Sequence, residues 1–217
     1  MDMKLSDTLY ESAKALWEEA AEKPFVVSMA KGTLEKERFR NYMMQDFLYL
    51  SDYIEILTET SERAEDPALK AFLQALIEET KRETERVHIP NMRAVGIVDE
   101  DISNCPKEKV ISEYAGYMRQ QLEEGGLKAV LAALLQCSWA YAYIAQISMD
   151  RYFETIKSSP YRSWFEAYIS EDYKESNRKW IDVLDKEAGT VGPGEAEKLC
   201  LIFRKCAEYE NRLWDAF

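Results

Sequence analysis

Leu127-Lys128-Ala129-Val130-Leu131-Ala132-Ala133-Leu134-Leu135-Gln136-Cys137-Ser138-Trp139-Ala140-Tyr141 is the most apolar stretch of the chain. Leu127, Val130, Leu131, Leu134 and Leu135 recur three and four residues apart, and Tyr141 and Ile144 follow Cys137 on the same stripe. This is the period of an α-helix with a buried face, not the alternation of a strand. Two other runs repeat it: Phe39, Tyr42, Met43, Asp46, Leu50 and Tyr53, then Leu69, Phe72, Leu73, Leu76 and Ile77. No segment alternates convincingly as a strand. Thr33 can cap the first of these runs. Asp66-Pro67 reads as an N-cap followed by proline in the first turn, and Ser170-Glu171-Asp172 as a cap with acids behind it. Gly125-Gly126, Ser159-Pro160, the stretch from Gly96 to Pro106 and the loop from Gly189 to Gly194 are the breaks. The spacing predicts about eight helices, at 4–22, 34–63, 67–88, 107–124, 127–157, 160–169, 171–187 and 193–216. Short connections make neighbours antiparallel, so the expectation is an all-α bundle forming a single domain over residues 1–217.

Composition narrows the function. The chain has 217 residues, 47% of them hydrophobic, with eight glycines and six prolines, which suits one helical core and disfavours a turn-dense β fold. Its net charge of −12 would repel polyanions, so nucleic acid and anionic membrane surfaces are not expected partners. The N-terminal stretch lacks an apolar signal core, and no apolar run approaches the ~20 residues of a membrane span. Cys105, Cys137, Cys200 and Cys206 form no C-x-x-C pair, and Cys200 and Cys206 fall on different helical faces. They are expected to be reduced thiols in a cytoplasmic protein. One histidine, His88, rules out any mechanism or metal site that needs two. No glycine-rich phosphate loop and no G-x-S-x-G elbow is present.

Several residues stand out against this background. Asp46 shares a helical face with Tyr42, Tyr49 and Tyr53, and a carboxylate among aromatics needs a partner. It is either an anchor for a ligand bearing N–H donors or a structural group bonded to a helix cap or to tyrosine hydroxyls. Cys137 is either a small buried hydrophobe or a nucleophile that needs a group to take its proton. Glu210 lies beside Leu213 and Trp214, the kind of setting that raises a carboxyl pKa and suits it to proton transfer; otherwise it borders an amphipathic helix. His88 ends a very acidic helix. It is half of a di-iron signature whose other half is absent, a lone haem ligand, or a histidine that supports another side chain. Tyr114, Tyr117 and Tyr168 belong to a set of thirteen tyrosines. These either fill the core or wall a pocket for a flat heteroaromatic ring.

Four motifs in register over about 200 residues make the chain resemble the TenA/thiaminase II family, the aminopyrimidine aminohydrolases of thiamin salvage. They are Tyr42-Met43-Met44-Gln45-Asp46-Phe47-Leu48-Tyr49-Leu50, Cys137-Ser138-Trp139-Ala140-Tyr141, Tyr161-Arg162-Ser163-Trp164-Phe165-Glu166-Ala167-Tyr168 and Tyr209-Glu210-Asn211-Arg212-Leu213-Trp214. The resemblance implies a haem-oxygenase-like fold, usually a homotetramer, that needs no haem, metal or other cofactor. It implies hydrolysis of a 4-amino-5-aminomethyl-2-methylpyrimidine, or of thiamin, to the 5-hydroxymethyl pyrimidine. Cys137 matches the family's nucleophile and Glu210 its acid/base. Asp46 matches the carboxylate that holds the amino and ring-nitrogen edge, and Tyr49, Tyr114, Tyr141 and Tyr168 match pocket tyrosines. Two departures stand out: Leu213 replaces a phenylalanine common after the glutamate, with Asn211 directly following Glu210, and Phe47 sits where tyrosine or serine is common. The rival expectation is a protein that binds a pyrimidine, or regulates, without turnover.

Overall fold

The computed structural model describes residues 4–189 and 191–217, and the elements among them are helices, with no strand. They are α1 (Leu5–Ala21), α2 (Pro24–Ala30), α3 (Lys36–Arg63), α4 (Pro67–Glu83), α5 (Ile89–Ala94), α6 (Asp99–Ser103), α7 (Lys109–Gln120), α8 (Gly126–Ser158), α9 (Arg162–Tyr168), α10 (Glu171–Ala188) and α11 (Pro193–Ala216). Asp66 accepts from the Ala68 N–H at 3.0 Å and Ser170 from the Tyr173 N–H at 3.3 Å, so both expected side-chain caps form. Thr33 does not cap α3: the N-cap is Glu35, and the Thr33 hydroxyl reaches back to the Ser28 carbonyl instead.

The all-α expectation holds, and the differences lie in the connections. The expected break from Gly96 to Pro106 contains the single turn and a bit of α6, whose Asp101 side chain accepts from the Val98 N–H at 2.9 Å. The segment between α1 and α3 contains α2, opened by Pro24 in its first turn. Two stretches expected to be ordinary α-helix widen to π-helical turns, at Thr84–His88 and Gln121–Gly125. The first has a sequence cause in Pro90, which has no N–H to give the carbonyl four residues back, so the α ladder cannot run on past it. The second ends at Gly125-Gly126. A Cβ on Gly125 would lie 2.5 Å from that of Ala129, and Gly126 takes φ 75°, a conformation that favours glycine.

α8 is the central element, in contact with α1, α2, α3, α7, α9, α10 and α11. Its residues from Ala129 to Gln136 are all buried, which explains why its sequence is apolar on every side. The helical run Lys109–Ser158 contains a window apolar enough, by length and composition, to cross a membrane, contrary to the expectation above; 61% of that window is buried inside the fold. The buried apolar residues form one continuous cluster. At one end α1 and α11 close on α8 through Trp17, Phe203 and Trp139, whose rings lie 5.5–6.2 Å apart. At the other, α3, α4, α8, α9 and α10 part to leave a cavity.

Candidate active site

The cavity has a volume of about 470 Å3. That is within the range of small-molecule sites and larger than a single substituted pyrimidine needs. Each wall comes from a different helix. α3 brings Asp46, Tyr49 and Tyr53, because their spacing of three and four puts them on one face. α8 brings Cys137, Ser138 and Tyr141, and α9 brings Tyr168. Tyr173 and Trp180 of α10 and the exposed or half-exposed Arg82, Glu83 and Arg86 form the outer part.

Hydrogen bonds hold the walls in place. The Tyr53 hydroxyl donates to the Leu134 carbonyl at 2.9 Å and pins α3 against α8. Ser138 donates to Asn177 Oδ1 at 2.6 Å, while Asn177 Nδ2 and the Tyr173 hydroxyl donate to the Ser138 carbonyl, each at 3.2 Å. This network locks α10 to the turn that carries Cys137. Trp164 Nε1 donates to the Tyr42 hydroxyl at 3.0 Å, which places Tyr42 behind the wall rather than in it. Tyr168 meets Tyr141 edge to face, with ring centroids 5.0 Å apart.

Tyr114 is not among the residues that line the cavity, although the resemblance implies a pocket tyrosine there. It is fully buried, stacked between Tyr49 and Tyr209 at 5.3 and 5.4 Å, and its hydroxyl donates to Gln136 Oε1 at 3.0 Å. It backs the Tyr49 plate.

Cys137 is half-buried, and it lines the cavity. Burial pushes its thiol pKa well up, and the negative charge of Glu210 pushes the same way; the Tyr49 hydroxyl opposes them. Glu210 on α11 is 2% exposed and sits behind Cys137 rather than in the cavity lining. Burial raises its carboxyl to about 8, against weaker lowering by the Cys137 thiol and the Tyr114 hydroxyl. Neither Glu210 oxygen receives a well-formed hydrogen bond among the described residues. At neutral pH the resting site therefore holds a protonated thiol beside a carboxyl that is mostly protonated. The thiol cannot ionise alone, and the carboxyl is poised to exchange a proton with a neighbour.

Asp46 is 4% exposed, and its partner is neither a helix cap nor a tyrosine. Asp46 Oδ2 lies 3.0 Å from His88 Nδ1. Sequence reasoning set the two residues apart because they are 42 positions distant on different helices; no local pattern signals the pairing. His88 is enclosed, 2% exposed, and both its ring nitrogens face carboxylates, which removes it from consideration as a haem ligand. Cys137, Asp46, Tyr49, Tyr141 and Tyr168 thus converge on one cavity, with Glu210 and Tyr114 directly behind it. Tyr173 and Ser138 join them without having been singled out. Cys105 and Cys200 lie elsewhere. The buried Cys206 interacts with Glu210 and Tyr114 from the side away from the cavity.

The TENA/THI-4/PQQC family profile matches residues 10–217. An aminopyrimidine aminohydrolase of Helicobacter pylori is 29% identical over 213 residues, 98% of each chain. A TenA homologue from P. horikoshii superposes with a TM-score of 0.87 at 28% identity, covering 98% of this chain and 97% of the other. Haem oxygenase from Leptospira interrogans shares the fold, with a TM-score of 0.65 at 14% identity, over 99% of this chain and 100% of its own.

Proposed function

The chain belongs to the TENA/THI-4/PQQC family, and from that premise we propose that it hydrolyses a 4-amino-5-aminomethyl-2-methylpyrimidine, or thiamin, to the 5-hydroxymethyl pyrimidine, using Cys137 as nucleophile and Glu210 as acid/base. The observation that carries the reading is the juxtaposition on one cavity of a carboxylate, tyrosine plates and a cysteine backed by a buried glutamate of raised pKa.

An aminopyrimidine suits each of these groups. Its N–H donors supply what the Asp46 carboxylate accepts, and its π face lies flat against tyrosine rings. In the reaction, Cys137 Sγ adds to an electron-poor carbon of the pyrimidine. The thiol proton passes to Glu210 in its ionised form, the minority form at neutral pH, so no free thiolate has to exist in the apolar wall. The electron pair gained by the ring then expels the substituent on the methylene, which leaves as ammonia after taking up a proton or, from thiamin, as the neutral thiazole alcohol without one. Water adds to the exposed methylene, and the ring carbon–sulfur bond breaks, returning the sulfur to Cys137 and the aromatic ring to the product. Glu210 is the proton store throughout, and a value near 8 keeps it close to balance at physiological pH. Arg82, Arg86 and Tyr173 line the same cavity and would border the leaving group.

The test is product analysis with the aminomethyl pyrimidine and with thiamin, wild type beside Cys137→Ser. Hydroxymethyl pyrimidine from wild type alone is the expected result. Equal product from the folded variant would remove Cys137 as nucleophile; no product from either would leave the cavity as a binding site.

A further inference from the structure

The role of His88 is not used by the reaction above, yet its setting is among the most tightly specified in the molecule. It closes the π-helical turn Thr84–His88, which Pro90 forces open just before α5. The wider turn carries the imidazole inward, against α3. Its Nδ1 lies 3.0 Å from Asp46 Oδ2 and its Nε2 lies 3.7 Å from Glu83 Oε1. Both are close ion-pair contacts, not well-aligned hydrogen bonds; Asp46 Oδ2 is sealed from solvent, whereas the residue as a whole lines the cavity, so Oδ1 is the oxygen that reaches it. Glu83 is partly exposed and lines the outer part of the same cavity. The buried His88 thus lies between two carboxyl side chains, Glu83 and Asp46, that both line the cavity.

We propose that His88 is the positioning residue of the Asp46 subsite: Glu83 orients its imidazole, the imidazole holds Asp46 Oδ2, and Asp46 Oδ1 is thereby presented to the N–H edge of the aminopyrimidine. The inference rests on the proposed substrate class for what is recognised, but not for the existence of the clamp. Its charge state supports it. Burial alone would push the His88 pKa down, but Asp46 first and Glu83 second outweigh burial and raise it to about 10. The imidazole is therefore a cation at physiological pH, set 3.0 Å from Asp46 Oδ2. Other titratable groups also interact with Asp46: Tyr42 on α3, Cys137 and Tyr141 on α8, Tyr168 on α9, Tyr173 on α10 and Glu210 on α11. None of these supplies a positive charge, which leaves His88 as the cation of the pair.

Because the chain has one histidine, a protein labelled with 15N-histidine reports this side chain alone. The expected spectrum shows both ring nitrogens protonated from pH 7 to 9, and in Asp46→Asn the titration moves down toward the ordinary histidine range. A neutral imidazole at pH 7.5 in the wild type would overturn the clamp, whatever the enzyme turns over. The second arm measures the Kd of the hydroxymethyl aminopyrimidine by calorimetry, together with KM and kcat. His88→Ala should weaken binding about 10-fold or more, with a smaller change in kcat. His88→Asn keeps a donor toward Asp46 and should recover part of the loss. Unchanged affinity in folded His88→Ala, or a loss confined to kcat, would overturn the positioning role even if hydrolysis is observed. Should hydrolysis fail with every substrate, the spectra and the binding series still decide the inference.

Discussion

The seam between α1, α11 and α8 and the cavity between α3, α4, α8, α9 and α10 share one helix, α8, and are built on opposite principles. Trp17, Phe203, Leu9 and Ala13 fill the seam chiefly by close packing, the buried Trp17 Nε1 being the one unpartnered polar atom among these side chains. The cavity region buries a carboxylate, an imidazole and a carboxyl of raised pKa, and leaves both Glu210 oxygens without a well-formed hydrogen bond among the described residues. Such groups cost stability when buried. The difference teaches that the aromatic seam and the apolar body of α8 supply the rigidity that lets the cavity hold chemically useful, unfavourable groups in place.

That contrast can be broken in several ways. The largest effect is expected from Cys137→Ser, which should abolish turnover while leaving Tm close to wild type; persistent product would refute the nucleophile. Next is Glu210→Gln, for which kcat should fall about 100- to 10,000-fold, while Tm should stay close to wild type at neutral pH, where the carboxyl is mostly uncharged, and exceed it at alkaline pH, where only the wild type must ionise a buried acid. A variant that loses activity and stability together would show that Glu210 is a structural group. Trp17→Ala reverses the pattern. It should destabilise the protein by about 3–5 kcal/mol, read by chemical denaturation, with KM and kcat of the folded fraction unchanged.

The dependence of stability on pH sharpens the comparison further. The folded value of about 8 for Glu210 exceeds its ordinary 4.5, so its favourable contribution is complete below pH 4.5 and lost as pH rises through 8. His88, at about 10 against 6.5, likewise stabilises fully below pH 6.5 and ceases to do so through pH 10. Both slopes have the same sign, and Tm should fall between pH 6 and 10. Glu210→Gln should remove the earlier part of the fall and retain the later part. A Tm that rises over this range in wild type would contradict both assignments. The smallest effect is expected from Asp46→Asn: one accepting oxygen becomes a donor, and KM should rise about 10-fold with kcat less affected. A pH-independent, unchanged KM would remove Asp46 from recognition.

Much of this was legible in the chain. The stripes of α3, α4 and α8 and the caps at Asp66 and Ser170 are local signals, carried by residues three and four apart, and they appear as expected. Asp46, Cys137 and Glu210 stood out as polar or reactive groups on apolar faces, and the resemblance joined them. Other features were not legible because their causes are not local. Glycine and proline marked the breaks after Gly96 and at Gly125, but not that α6 fills the one or that the helix widens to a π turn before the other. Tyr114 and Tyr49 look alike in sequence; only packing puts one behind the other.

Taken alone, then, the amino-acid sequence determined an all-helical fold with a few chemically pointed residues on its inward faces, because helical period and capping act within a single turn or two of chain. The tertiary structure decided which of those residues meet. Helix crossings bring Asp46 from α3 to His88 at the end of the α4 run, and set Cys137 of α8 before Glu210 of α11. A pairing of that kind depends on the crossing geometry of whole helices, and no residue in either partner's neighbourhood encodes it.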